Sequence, residues 1–486
     1  MEFSQWKERY SLSLDEQQEQ AVQAVDGPVL LLAVPGSGKT TVLVSRVGYL
    51  CLARGIPPEQ ILTMTYTVAA ARDMRTRFTA LFGEQAAQRL EFRTINGVCS
   101  QIIRTYERRL GRTAFTLLED AGQRGALLGE LYRAQTGEFA AESTVKALMT
   151  AVTYAKNQML TGEELAQVQV EGVEFSKIFR DYEQALRQSR RMDYDDQMVY
   201  ALRILRQHPR ILEEFQGRFR YFCVDEAQDT SRIQHRIIRM LAGQSQNLFL
   251  VGDEDQSIYG FRAADPSALV RFPEDWPGAR VLRLEQNYRS TQNILDAANA
   301  VIQNNQGRKG KTLWTDNGGG DVVTVKTTFN ESDEANYEAG DILMGVNRGR
   351  NFRDTAVLYR MNAQSNALEY AMKRNGIPYK VVGGMKFFDR AEVKDMLAYL
   401  CVLNNPLDDL RLRRIINNPP RGIGATTLDK VGALAESQGA SLYEIIRNAD
   451  LFPELKASSA KLLKFADLID GLRRAGTELA LPEFYD

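Results

Sequence analysis

A chain of 486 residues, 44% apolar, is long enough for roughly three or four domains with cores of their own. A formal net charge of −1 removes any bulk basic signal for nucleic acid while leaving room for a local basic groove. Only two histidines, His208 and His235, and four widely spaced cysteines, Cys51, Cys99, Cys223 and Cys401, argue against a histidine-based metal site or triad and cast the cysteines as core thiols of a reducing compartment. The first residues lack a signal-type apolar region and no apolar run reaches membrane-spanning length, so the expected location is cytoplasmic, with no membrane partner.

In chain order, Asp15 is a candidate helix N-cap with Gln18 three residues on. The Gln18 amide also offers the donor and acceptor that would read an adenine base, although by itself it reads first as a capping residue. An apolar run from Val29 ends in Ala33-Val34-Pro35-Gly36-Ser37-Gly38-Lys39-Thr40-Thr41, and helix-compatible residues continue to Leu50. That is strand, phosphate loop, helix. Backbone N–H groups of such a loop converge on phosphate oxygens, Lys39 would reach the β- and γ-phosphates, and the Thr40 hydroxyl would ligate Mg2+. The strict pattern has Gly where Ala33 stands.

Strands at 61–67 and 91–95 alternate with helices at 69–81 and 98–110, which indicates an α/β layer structure. From about 101 to 191 strand signals nearly vanish and helical periodicity takes over (121–132, 143–158, 163–168, 173–187), as in a helical insertion. Arg104, Arg108, Arg109 and Arg112 cluster near its start. A solvated face is the default for such a group and a phosphate-contacting face the alternative. Strands resume at 220–226, 247–253 and 280–284. The stretches 304–310 and 317–320 suggest a boundary. A second α/β unit is expected beyond it, with strands at 322–328, 355–360 and 379–382, and the chain turns helical again after Arg390.

Asp225 and Glu226 end one of these strands, the edge where open α/β sheets bind ligands. Beside a phosphate loop, Asp225 would hold Mg2+ through its water shell and Glu226 would deprotonate an attacking water. Gln256 follows the next strand and would sense the γ-phosphate. Arg289 would donate to γ-phosphate oxygens in the transition state, and Tyr288 would stack on the base. Tyr66, Tyr259 and Phe261 fall at or just after strand ends on that same edge. Three aromatics there point to stacking on single-stranded nucleic acid, although each alone would read as loop packing.

Taken together, these stretches resemble superfamily-one DNA helicases of the UvrD/Rep/PcrA type, over nearly the whole chain from Leu14 to Pro482. The matching pieces are residues 14–18, 33–40, 65–67 with 70–72, 224–230, 251–259, 284–291, 356–360 and 377–384. The resemblance implies P-loop NTPase domains of RecA-like fold with helical insertions. These would be domain 1A (1–100 and 192–290), insertion 1B (101–191), domain 2A (291–386) and insertion 2B (387–486). It implies ATP and Mg2+, movement 3′-to-5′ on single-stranded DNA and at duplex junctions, and work in repair or replication with possible repair proteins as partners. ATP contacts fall on Gln18, Ala33 through Thr41 and Tyr288, and the metal on Thr40 and Asp225. DNA contacts fall on Thr65, Tyr66, Thr94, Tyr259, Phe261 and Arg262, and the turn with Gly422 and Gly424 looks like a backbone-binding element for duplex. Ala33 is normal for this family, whereas Val34 replaces its usual Gly, Thr94-Ile95-Asn96 its Thr-Phe-His, and Val68 and Ala69 a common Asn-Lys. The family's motifs V and VI are not found, so the chain reads as an N-terminal piece of a longer helicase whose second half has incomplete cores, expected to bind nucleotide but to hydrolyse it only slowly and not to unwind DNA by itself. A helicase–nuclease motor and an ATP-binding repair scaffold are the competing readings.

Overall fold

The computed structural model describes residues 1–111, 113, 115–305, 310–382 and 391–478. It divides into two compact units, Met1–Thr324 and Val325–Asp486. Among the described residues, all named strands lie in the first: β1 (Val29–Ala33), β2 (Ile61–Thr65), β3 (Glu91–Thr94), β4 (Thr116–Leu117), β5 (Arg191–Met192), β6 (Tyr221–Val224), β7 (Leu248–Gly252) and β8 (Arg280–Leu284). Six form one sheet in the order β3-β2-β6-β7-β1-β8. Every pairing is parallel, with Leu31 opposite both Val251 and Leu282. The fold is therefore α/β with a doubly covered parallel sheet, as a RecA-like P-loop fold requires.

Side-chain alternation builds the two layers. Leu30, Leu32, Leu62, Met64, Phe222, Val224, Leu248 and Leu250 face a core completed by helices Ile95–Leu110, Tyr194–Gln207, Pro209–Arg218 and Arg232–Ala242. Their neighbours Val29, Leu31, Ala33, Ile61, Tyr221, Cys223, Phe249 and Val251 face the opposite core, with helices Glu16–Gln23, Lys39–Gly48 and Val68–Phe82. Each fully buried Leu or Ile contributes on the order of 1.5–3 kcal/mol. On that second face the Arg46 guanidinium lies 4.2 Å from the Phe249 ring centroid and donates to the Ala21, Ala24 and Val25 carbonyls. Burial pulls it down to about 10. All four cysteines are free thiols. Burial pushes Cys51 and Cys99 up to about 12.

Several expected boundaries move. The limit at 101 falls inside helix Ile95–Leu110, whose Val98, Cys99, Ile102 and Ile103 belong to the sheet core. The helical insertion has its own core, drawn from Leu118 to Leu186. Arg108 and Arg109 are exposed and both pair with Glu214, as on a solvated face; Arg112 lies outside the described residues. Residues 291–324, expected to open the second α/β domain, belong to the first unit, because Leu295 and Leu313 pack on Val34 of the phosphate loop.

In the second unit the strands expected at 322–328 (most of it in this unit), 355–360 and 379–382 do not form. A parallel strand exists only through neighbours, and here Val325, Leu358 and Val382 are left 89%, 93% and 82% exposed. Helices Glu331–Asn347 and Ser365–Arg374 pack instead into a small core around Ala339 and Met372. The helical region between Ala398 and Ile469 does have a substantial core, contrary to the expectation of an incomplete one, because its helices bury one another without a sheet. The expected boundary at 387, Gly383 and Gly384 of the 377–384 match, and residues 306–309 of the linker lie outside the described residues.

Candidate nucleotide site and nucleic-acid interface

The phosphate loop leaves the end of β1 and turns through Gly36 (φ +70°) and Gly38 (φ +82°) into helix Lys39–Gly48, with Thr40 and Thr41 in its first turn. It is braced from three sides. Ser37 Oγ donates to the Val34 carbonyl (2.7 Å), Asn287 Nδ2 to the Pro35 carbonyl (2.6 Å) and the Tyr288 N–H to the Gly36 carbonyl (3.0 Å). Gln18 is the cap the sequence indicated: its N–H donates to Asp15 Oδ1 (2.8 Å) and its Oε1 accepts from the Asp15 N–H (3.2 Å). Its Nε2 also donates to the Ser37 carbonyl (3.0 Å), so both ends of the amide are engaged by protein. The exposed Tyr288 hydroxyl bonds the Asp15 carboxylate.

Strand β6 delivers Asp225 and Glu226 beside this loop. Glu226 sits in the left-handed region (φ +50°), a conformation disfavoured for a β-carbon and tolerated where surroundings over-determine it. Its Oε2 lies 3.2 Å from Lys39 Nζ and accepts from Gln228 Nε2 at 2.7 Å. Asp225 is buried, and burial together with the neighbouring Glu226 pushes it up to about 7, with Lys39 pulling the other way. Its Oδ1 has no hydrogen-bond partner, and neither does Asp229 Oδ1. A buried, unsatisfied carboxylate held above its ordinary range suits a cation's water shell, so the Thr40–Asp225 edge fits Mg2+ on a bound nucleotide.

Gln228 continues the network. Its Oε1 accepts from the Asp253 N–H (3.0 Å) at the end of β7, and Asp253 Oδ2 accepts from Gln256 Nε2 (2.7 Å). Arg289, in the turn after β8, is exposed, and its Cβ would lie 2.9 Å from a β-carbon built on Gly36.

The same sheet edge gathers the aromatics. Tyr66 and Tyr259 stack at 5.9 Å and 20°, Phe261 follows at 5.9 Å from Tyr259, and the Arg262 guanidinium lies 5.1 Å and 5.5 Å from the Tyr259 and Phe261 rings. Phe261 is 62% exposed. A cleft of about 750 Å³ is lined by Thr65, Tyr66, Thr94, Phe261 and Arg262, and by residues the sequence reading missed: Arg124, Asn157 and Asp195. Thr94 Oγ1 is spent capping its helix on the Gly97 N–H (3.0 Å), and the Thr65 hydroxyl donates to the Thr67 carbonyl (2.9 Å). The far wall is fixed by a buried polar network. Lys156 Nζ lies 2.9, 3.0 and 2.7 Å from Glu183, Asp193 and Asp196, while Thr153 and Asn157 both donate to Asp195 at 2.8 Å. The run of acids at 193–196 was the available signal, but acids at a helix start ordinarily read as capping.

Gly422 and Gly424 lie in the second unit, in an exposed turn ahead of helix Ala425–Gln438. Gly422 is at φ +67° and its carbonyl accepts from Lys461 Nζ (3.0 Å).

Residues 14–277 match the UvrD/REP helicase N-terminal domain, and residues 282–457 the UvrD-like helicase C-terminal domain. The chain is 36% identical over 480 residues to a Staphylococcus epidermidis protein named ATP-dependent DNA helicase PcrA, covering 98% of this chain and 65% of that one. The protein of the same name from Bacillus subtilis is 38% identical over 474 residues, covering 96% and 63%. The chain thus spans a little under two thirds of the length of these relatives. With the phosphate loop, the paired carboxylates and the aromatic edge on one sheet, the chain belongs to the UvrD/REP helicase family.

Proposed function

We propose that this protein is the nucleotide-hydrolysing and strand-gripping part of an ATP-dependent DNA helicase. In this reading ATP occupies the phosphate loop from Ala33 to Thr41, with Tyr288 against the base and Gln18 beside it. Thr40 and Asp225 hold Mg2+, which supplies charge neutralisation at the phosphates. Glu226 accepts the proton of the attacking water once the nucleotide has drawn Lys39 away from it. Gln256 and Arg289 meet the terminal phosphate, Arg289 with the planar fork that suits spread negative charge. Single-stranded DNA lies in the cleft lined by Thr65, Tyr66, Thr94, Phe261 and Arg262, with Tyr259 stacked on Tyr66 beside it, and Gly422 and Gly424 meet duplex backbone.

The observation that carries this reading is the continuous chain of contacts from Lys39 through Glu226, Gln228 and Asp253 to Gln256, three residues before Tyr259. That path ties the carboxylate beside the phosphate loop to the amide that would meet the terminal phosphate, on the same strand end that leads on to the aromatics. Movement 3′-to-5′ and a place in repair or replication, with repair proteins as partners, follow from the family resemblance. No helix among the described residues is long and apolar enough to cross a membrane, and a DNA motor works where the DNA is, in the cytoplasm. The test is calorimetry of Mg2+–nucleotide binding together with ATP hydrolysis at rising concentrations of single-stranded oligonucleotide. Nucleotide binding with turnover that climbs on strand binding supports the reading. A protein that binds neither ligand refutes it.

A further inference from the structure

One buried cation outside the recognised motifs stands against the acids that follow β7. Lys311 is 8% exposed, and its Nζ contacts the Asp253 carboxylate and lies 2.8 Å from Glu254 Oε2. Asp253 is fully buried and divides its two oxygens. Oδ1 takes Lys311 and the Asp255 N–H (3.1 Å), while Oδ2 takes the Gln256 amide (2.7 Å). The carboxylate that orients Gln256 is therefore itself held by Lys311. Burial alone would pull the amine down, but Asp253 and Glu254 more than reverse this, so it stays an ammonium.

The segment that carries Lys311 is fastened elsewhere as well. Leu313 packs with Val34 and Leu295, its N–H donates to Asn299 Oδ1 (3.2 Å), and Asn299 Nδ2 returns to the Leu313 carbonyl (3.0 Å). Trp314 forms a parallel bridge with Gln286, and its carbonyl accepts from the Asn287 N–H at 2.8 Å. Four residues thus run from the acids after β7 to the turn that presents Arg289, and touch the phosphate loop on the way.

We propose that Lys311 is a positioning residue: through Asp253 it fixes the Gln256 amide where the terminal phosphate of the nucleotide arrives, and its segment keeps that amide in register with the Arg289 turn. The proposal rests on the nucleotide site described above. A lysine that only neutralised buried acids would support the fold without distinguishing one nucleotide from another, whereas a lysine that sets Gln256 matters only when a γ-phosphate is present.

Calorimetry on the 486-residue protein with Mg2+ separates the two, using ADP and a non-hydrolysable ATP analogue as probes. In Lys311→Met the analogue should bind about tenfold more weakly, the scale of one charge-assisted hydrogen bond, while ADP stays within about twofold. Lys311→Arg, which keeps the charge, should hold both within about threefold of the parent. Should the single variant fail to fold, Lys311→Met combined with Asp253→Asn and Glu254→Gln removes the two nearest charges that Lys311 neutralises and should show the same selective loss. An unchanged ratio between the nucleotides, or an equal loss of both, in a variant that melts cooperatively overturns the role of Lys311. A parent protein that binds neither nucleotide overturns the nucleotide site, and this proposal with it.

Discussion

Replacing Gly36 with alanine places a β-carbon in two kinds of difficulty, and the structure supplies a control that separates them. Gly36 is at φ +70°, where a β-carbon costs about 1–2 kcal/mol against its own carbonyl. The new methyl would also lie 2.8 Å from Asn287 Nδ2 and 2.9 Å from Arg289 Cβ. The second contact cannot be relieved by a rotamer change, because Cβ is fixed to the backbone; the 287–289 turn has to move. Gly27 is at φ +79° with nothing within 4 Å of its would-be β-carbon, so Gly27→Ala carries the backbone cost alone. Gly27→Ala should lose about 1–2 kcal/mol of stability, and Gly36→Ala at least that much. At about 2–4 °C per kcal/mol for units of this size, that is a drop of several degrees in Tm. Only Gly36→Ala should also lose function. Displacing Asn287 breaks its bond to the Pro35 carbonyl and shifts Arg289, and a further 1.4 kcal/mol or so at the loop is about tenfold in nucleotide affinity. Thermal melts paired with calorimetric titration of Mg2+–ATP analogue read both effects. If Gly36→Ala binds nucleotide as tightly as Gly27→Ala, the packed loop is not the phosphate site.

In the full-length protein, Glu226→Gln should keep nucleotide binding and nearly abolish hydrolysis, because an amide cannot take the water's proton; turnover equal to the parent removes Glu226 from that role. Phe261→Ala should weaken single-strand binding by ~1–3 kcal/mol with little sequence preference, and parent affinity should fall steeply with added salt; fluorescence anisotropy at fixed ionic strength checks both, and an unchanged affinity contradicts stacking. His235 Nε2 lies 2.5 Å from Thr230 Oγ1, and burial holds the imidazole down at about 4, against partial opposition from Asp265 and Asp275. The unfolded chain takes up that proton near 6.5, so the stability in question is full above pH 6.5 and is lost as pH falls towards 4, on the order of 3 kcal/mol. Denaturant unfolding across that window should show the loss in the parent and a flatter profile in His235→Gln; parallel profiles would refute the linkage.

What could be read from the chain alone was local. The Gly36–Thr40 loop, the apolar runs of β1, β2, β6 and β7 and the Asp15–Gln18 cap are each encoded within a few residues by side-chain period and turn chemistry, and all of them form. The acids ending β6 and the aromatics Tyr66, Tyr259 and Phe261 were placed on one edge because parallel strands present the same end to the same side. Tertiary structure decided what depends on partners distant in sequence. Lys311, one residue past the 304–310 stretch, has no role legible in the sequence, since a lone lysine carries no mark of the Asp253 carboxylate it pairs with. Arg124 and Asn157 joined the cleft only through the packing of the insertion against helix Tyr194–Gln207. The stretch 355–360 has the composition of a strand and is not one, because a strand is completed by its neighbours' hydrogen bonds, and composition cannot supply a neighbour.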